Sequence, residues 1–139
     1  MSQLFDNYNN KNQPIPDNEK VFLEYKKKYA DIIVLGGTNK HCFLIPYSPE
    51  EVDYLSVTYI QGTEIKLTKM FLSSELEDLN GESMLIYDIT PEESLAFNNW
   101  NKEVYAQIKA YITCAEESRI EYSQQYKIKI INTLEDKGE

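Results

Sequence analysis

His41 is the one histidine of the chain, and it stands beside Cys42. A thiol next to an imidazole suggests a Cys–His nucleophile pair, which needs a hydrogen bond between the two side chains. The surrounding residues, His41 to Tyr47, read as a strand. Neighbours on a strand point to opposite faces, so the reading here is structural for both. Gly36-Gly37-Thr38-Asn39-Lys40 would cradle a phosphate if it had the Gly-x-x-x-x-Gly-Lys-Ser/Thr spacing and opened a helix. It has neither and reads as a turn. Carboxylate pairs occur at Glu92 with Glu93 and at Glu117 with Glu121. Two-carboxylate hydrolysis needs acids that face each other across a cleft, which sequence spacing does not show.

Metal chemistry finds little support. Cys42 and Cys114 are far apart, there is no Cys-x-x-Cys, and no second His exists to complete a zinc set. The dense Asp/Asn/Gly loop of an oxygen-ligand site is absent. The sequence therefore implies no catalytic residue, no metal and no cofactor. The two thiols are expected to be reduced, in a cytoplasmic protein without disulfides.

Charge is the stronger signal. The 139 residues hold 14 Lys and Arg against 23 Asp and Glu, a net charge of −9. That balance argues against direct nucleic-acid or anionic-membrane binding. Residues 1–47 carry six Lys and five acids, net +1, whereas 48–139 carry eight basic residues and eighteen acids, net −10. From Met70 to Asn101 there is no Lys or Arg at all. Glu75, Glu77, Asp78, Glu82, Glu92 and Glu93 lie in that stretch and are the candidate partner-binding residues, an acidic face for a basic protein surface. Acids at helix starts also suit the helix dipole, which accounts for Glu75, Glu92 and Glu93 but not for the missing lysines. Tyrosine supplies 11 of the 17 aromatic residues. It suits half-buried positions and contact surfaces, and it also favours strands.

These residues need elements to position them. Residues 1–16 are polar and Asn-rich and read as a flexible N-terminal arm; 135–139 read as a charged tail; 17–134 read as one domain. Asp17 or Asn18 caps a helix with Val21, Phe22, Tyr25 and Tyr29 on one face. Ile32 to Leu35 and His41 to Tyr47 read as a hairpin around Gly36-Gly37. Ser48-Pro49-Glu50-Glu51 matches a capping box before a short helix. Tyr54–Ile60 and Glu64–Phe71 alternate around Gln61-Gly62-Thr63, the clearest hairpin signal. Ser73 or Ser74 starts a short helix that Asn80-Gly81 stops, and Met84 to Ile89 reads as a strand.

Thr90-Pro91-Glu92-Glu93 is a second capping box. Leu95, Phe97, Trp100, Val104, Ile108, Tyr111, Ile112 and Ala115 then keep a helical period, which predicts a long helix over 91–116 with Trp100 in its core-facing row. Residues 118–134 fit a helix or a strand and are read as a helix. The sum is an α+β domain, with an antiparallel or mixed sheet of about five strands covered by helices.

The function class that fits is a small acidic protein-binding module. It would be an inhibitor or neutralising partner of mobile-element counter-defence type, covering the basic groove of a nucleic-acid-binding protein or nuclease with carboxylates in place of phosphates. An immunity protein against a toxin fits the same charge. A small carboxylate-dependent enzyme and a regulatory subunit with a small-ligand pocket are the alternatives from other classes.

Overall fold

The computed structural model describes residues 17–131. The arm expected at 1–16 and the tail expected at 135–139 lie outside the described residues. Helix α1 (Asp17–Lys28) is followed by nine strands: β1 (Ile32–Val34), β2 (Asn39–Ile45), β3 (Val52–Gln61), β4 (Glu64–Leu72), β5 (Glu77–Asp78), β6 (Ser83–Ile89), β7 (Val104–Cys114), β8 (Glu117–Tyr122) and β9 (Tyr126–Ile131). One turn of helix, α2 (Pro91–Ser94), precedes β7, and short 3-10 turns at Pro49–Glu51 and Ser73–Glu75 flank the β3–β4 pair.

The strands form two sheets. Six of them run β1-β9-β7-β3-β4, with β8 also on β7, and the other three run β2-β6-β5. β9 pairs with Val104–Ala106 and β8 with Lys109–Cys114, so the two share one side of β7 while β3 takes the other. All pairings are antiparallel except β1 with β9, which is parallel, Ile33 opposite Ile130. The inner faces of the sheets meet in the core. Phe43, Ile45, Leu85 and Ile89 of the small sheet pack in one cluster with Leu55, Val57, Tyr59, Ile108 and Ile112 of the large one. Helix α1 lies on the outer face of the small sheet, where Lys26 Nζ donates to the Cys42 carbonyl.

The helix-covered α+β domain expected from the sequence is overturned: the chain is mostly β, and the long helix over 91–116 does not exist. Thr90 and Glu93 do close their capping box, Glu93 N donating to Thr90 Oγ1 at 3.1 Å and Thr90 N to Glu93 Oε1 at 3.0 Å. The helix ends after one turn, and Asn98 to Asn101 run as loop. Trp100 is 77% exposed there, not core. Val104, Ile108 and Ile112 are spaced by four, which fits one helix face and also one strand face. Ala106 and Ala110 between them are buried as well. The inward run Val104-Ala106-Ile108-Ala110-Ile112 is therefore strict alternation, the period of a strand. The helix expected at 118–134 is likewise replaced by β8 and β9 within the described residues, with Ile128 and Ile130 inward.

The hairpin expected between Ile32–Leu35 and His41–Tyr47 also fails. Its two strands go to different sheets, β1 beside β9 and β2 beside β6. Asn80-Gly81 does not stop a helix; it turns β5 into β6, with Asp78 opposite Ser83. The β3–β4 hairpin forms, Thr58 opposite Thr68, but a bulge at Lys66 breaks the alternation expected on β4: Leu67 stands opposite Tyr59 toward the core and Ile65 opposite Ile60 on the outer face.

Candidate functional site

The open side of the molecule is the outer face of the large sheet. β3 presents Tyr54, Ser56, Thr58 and Ile60 there, and β7 presents Tyr105, Gln107, Lys109 and Tyr111, because their alternate neighbours fill the core. Register sets Tyr54 opposite Tyr111 and Lys109 opposite Tyr122. The rings of Tyr54 and Tyr111 stack with centroids 4.2 Å apart at 22°. The Lys109 ammonium lies over Tyr111 at 5.2 Å and over Tyr122 at 5.8 Å, a cation held by two ring faces. These contacts hold Lys109 charged, its pKa raised first by the hydrogen bond to Tyr111. Two hollows adjoin along β7 and share Tyr122. One, of about 650 Å³, is lined by Asp53, Tyr54, Tyr111, Arg119 and Ile120; the other, of about 410 Å³, by Thr58, Ile60, Tyr105, Gln107 and Lys109. Met70 and Leu72 of β4 continue the face and are 60% and 57% exposed.

The predicted acidic block is divided by the fold. Glu75, Glu77 and Asp78 are exposed where β4 ends and β5 begins. Glu92 and Glu93 follow the far end of β6, about 20 Å away along a seven-residue strand. Glu93 is committed to the Thr90 cap, and its other oxygen lies 3.9 Å from Lys69 Nζ. Glu82 is 7% exposed, an interior residue and no part of a face. It hydrogen-bonds Glu19 of α1; burial first and this second carboxyl next push the Glu19 pKa up to about 7.

Register supplies other acids that the linear sequence kept apart. The two 3-10 turns touch each other at the end of the large sheet. That end gathers Glu50, Asp53, Glu75, Glu77, Asp78 and Glu117, all exposed. Asp53 accepts from Thr113 Oγ1 at 2.7 Å, which ties β3 to β7, and Cys114 faces Glu117. Arg119 stands among them, its Nε 3.6 Å from Glu121, which is buried. The acids of 48–53 and 116–117 escaped the sequence reading because they lie outside the Lys-free stretch. Tyr105, Gln107, Lys109 and Tyr111 lie in the stretch read as a helix, and their period of two is the signal that would have set them on one strand face.

The residues with catalytic types do not converge. His41 is wholly buried: its Nε2 donates to the Ile32 carbonyl and its Nδ1 accepts from Tyr59 Oη, both at 2.7 Å. Burial pulls its pKa down, so the ring is held neutral. Cys42 lies on the opposite face of β2 under α1, and burial raises its thiol pKa. Cys114 Sγ donates to Glu51 Oε2 at 3.1 Å, and that carboxylate raises its pKa too. Both cysteines are free thiols. Gly36-Gly37 is a turn, its Gly36 N donating to Ser94 Oγ. Among the described residues no group of three or more His, Cys, Asp or Glu side chains is placed to hold a metal, and no helix is long and apolar enough to cross a membrane. No protein-family model matches the chain and no curated protein matches it, so a functional reading has to come from the aromatic face and its acidic end.

Proposed function

We propose that the protein is a binding module that neutralises a partner with a basic surface, docking it across the acidic end of the large sheet and the tyrosine face beside it. One observation carries this reading: Asp53 lines the same hollow as the Tyr54–Tyr111 stack and Ile120, Glu117 precedes Ser118 of that hollow, and Glu75 accepts from the backbone N–H of Leu72, which stands opposite Tyr54, with Glu77 and Asp78 next along the chain. Acids steer and select a basic partner, while amphipathic aromatics supply contact area that desolvates well. Tyrosine and arginine at the centre of such a patch are the residue types that dominate binding energy. The reading moves the acidic interface from the six residues expected in sequence to Glu75, Glu77, Asp78 and their new neighbours.

The test is partner capture from a lysate of the native host, with wild type beside a Glu75→Lys, Glu77→Lys, Asp78→Lys variant, at low and high salt. A basic partner should be lost from the variant, and its capture by wild type should weaken as the Debye length falls from about 10 Å at 0.1 M to about 3 Å at 1 M. Folding should hardly change, since exposed substitutions usually stay within about 0.5 kcal/mol. Equal capture of the same protein by both, at either salt, would leave these acids as solvated surface and defeat the proposal.

A further inference from the structure

We infer that the hollows along β7 take an extended, proline-containing segment of the partner, with an Arg or Lys of that segment held at the acidic end. This rests on the binding-module reading above and names the chemistry of what is bound.

Three observations lead to it. First, β7 has strand partners on both sides, β3 on one and β9 with β8 on the other. Its backbone is already committed, so a ligand on this face cannot join as an added strand and meets side chains alone. A polyproline II segment suits that, because it has no internal hydrogen bonds and its prolines have no N–H seeking a ladder. Second, the ring positions fit its repeat. Tyr111 and Tyr105 are six residues apart on one face of β7, about 20 Å, close to two polyproline II turns of about 9 Å each. Tyr122 lies between them at the level of Lys109. Third, charge sets the direction. Asp53 and Arg119 line the larger hollow, Arg119 already paired with buried Glu121 at 3.6 Å, and Glu50 and Glu117 stand beyond it at the same end. The rings already accept a cation, since Lys109 lies over two of them, so a ligand cation near Tyr54 meets both a ring face and a carboxylate.

The probe is a fluorescein-labelled (Arg-Pro-Pro)4 peptide, read by anisotropy on the full chain at low salt. Labelled (Arg-Gly-Ser)4 and (Glu-Pro-Pro)4 of equal length are the comparisons. The expected result is binding of Arg-Pro-Pro at least ten-fold tighter than either, weakened at least five-fold by Tyr122→Ser. Should Tyr122→Ser fail to fold, Asp53→Lys, at an exposed position, serves and should cost at least as much. Equal binding of the Arg-Gly-Ser peptide would mean charge alone is recognised and would overturn the inference, as would no binding of any peptide. If the peptides fail while lysate capture still depends on Glu75, Glu77 and Asp78, the ligand class is wrong and the binding module stands. If capture is also indifferent to those acids, both fall.

Discussion

The outer face of the small sheet and the outer face of the large sheet start from similar strand chemistry and meet different surroundings. On the small sheet Cys42 and Met84 point away from the shared core, yet both are 1% exposed; α1 packs on β2 on that side, and Met84 sits on the central strand between Leu44 and Glu77. On the large sheet Met70 and Leu72 point away from the core and stay 60% and 57% exposed. The compositions differ accordingly. The covered face is aliphatic at its centre, with Cys42 opposite Ile86 and Leu44 opposite Met84. The open face mixes Tyr, Ser, Thr, Gln and Lys with its apolar residues, so it tolerates water while keeping large contact area. An apolar surface left to solvent in this way marks a place of interaction more often than an accident of packing.

Two methionines make the sharpest comparison, since they are the same residue in the two settings. Met84→Ala removes a fully packed side chain and should cost about 2–5 kcal/mol. Met70→Ala should change stability by no more than about 0.5 kcal/mol. Urea unfolding of the two variants beside wild type decides it. Comparable losses would mean that the open face is packed in solution by something the described residues do not include.

The hairpin turns of the two sheets differ in the same instructive way, with a smaller effect. β5 and β6 turn through Asn80-Gly81, at φ 61° and 105°. β7 and β8 turn through Ala115-Glu116, at φ 53° and 66°. Both turns have positive φ at both central residues, as type I′ hairpin turns require. Asn and Gly tolerate that region, whereas Ala and Glu are strained in it by about 1–2 kcal/mol per residue. Replacing Ala115-Glu116 with Asn-Gly should stabilise the protein by about 1 kcal/mol or more, and placing Ala-Glu at 80–81 should destabilise it by a similar amount. No atom outside the turn lies within 4 Å of a Cβ built on Gly81, so backbone strain alone sets that cost. Thermal melts in which both exchanges shift stability the same way would show that φ is not what separates the turns.

The same turns explain what was legible in the sequence. The β3–β4 hairpin was readable because the alternation of β3 and Gly62 agree, and the Thr90–Glu93 cap because it needs four adjacent residues. Ala115-Glu116 carries no turn chemistry, so β7 and β8 ran together and the four-residue spacing of Val104, Ile108 and Ile112 passed for a helix. Asn80-Gly81 carried the right signal, but β5 is two residues long, too short to show a period. The parallel pairing of Ile33 with Ile130 joins chain ends with no local trace of it. The site suffered likewise. Residue types were visible at Glu75, Glu77 and Asp78, but only register could set Tyr54 against Tyr111 and bring Glu117 to the same end.

The smallest expected effect concerns how the cover of the small sheet is fastened. Glu19 on α1 and buried Glu82 share a hydrogen bond, which requires a proton on one of them, and Glu19 titrates near 7 instead of 4.5. A carboxyl whose folded pKa is raised binds more protons folded than unfolded between those values. Its stabilising contribution is present below about 4.5 and is lost as pH climbs through about 7. Above that, Glu19 is ionised in a half-buried position beside Glu82. Glu19→Gln replaces the shared proton with an amide that donates at any pH. The variant should match wild type at pH 5 and unfold at higher urea at pH 8. The gain is modest, because Glu19 is only half-buried and water screens the repulsion. An advantage of equal size at both pH values would mean that the amide improves packing and that the carboxyl pair does not govern the helix. Loss of stability at pH 8 would show the ionised Glu19 to be held by a cation and would reverse the sign assigned here to the helix cover.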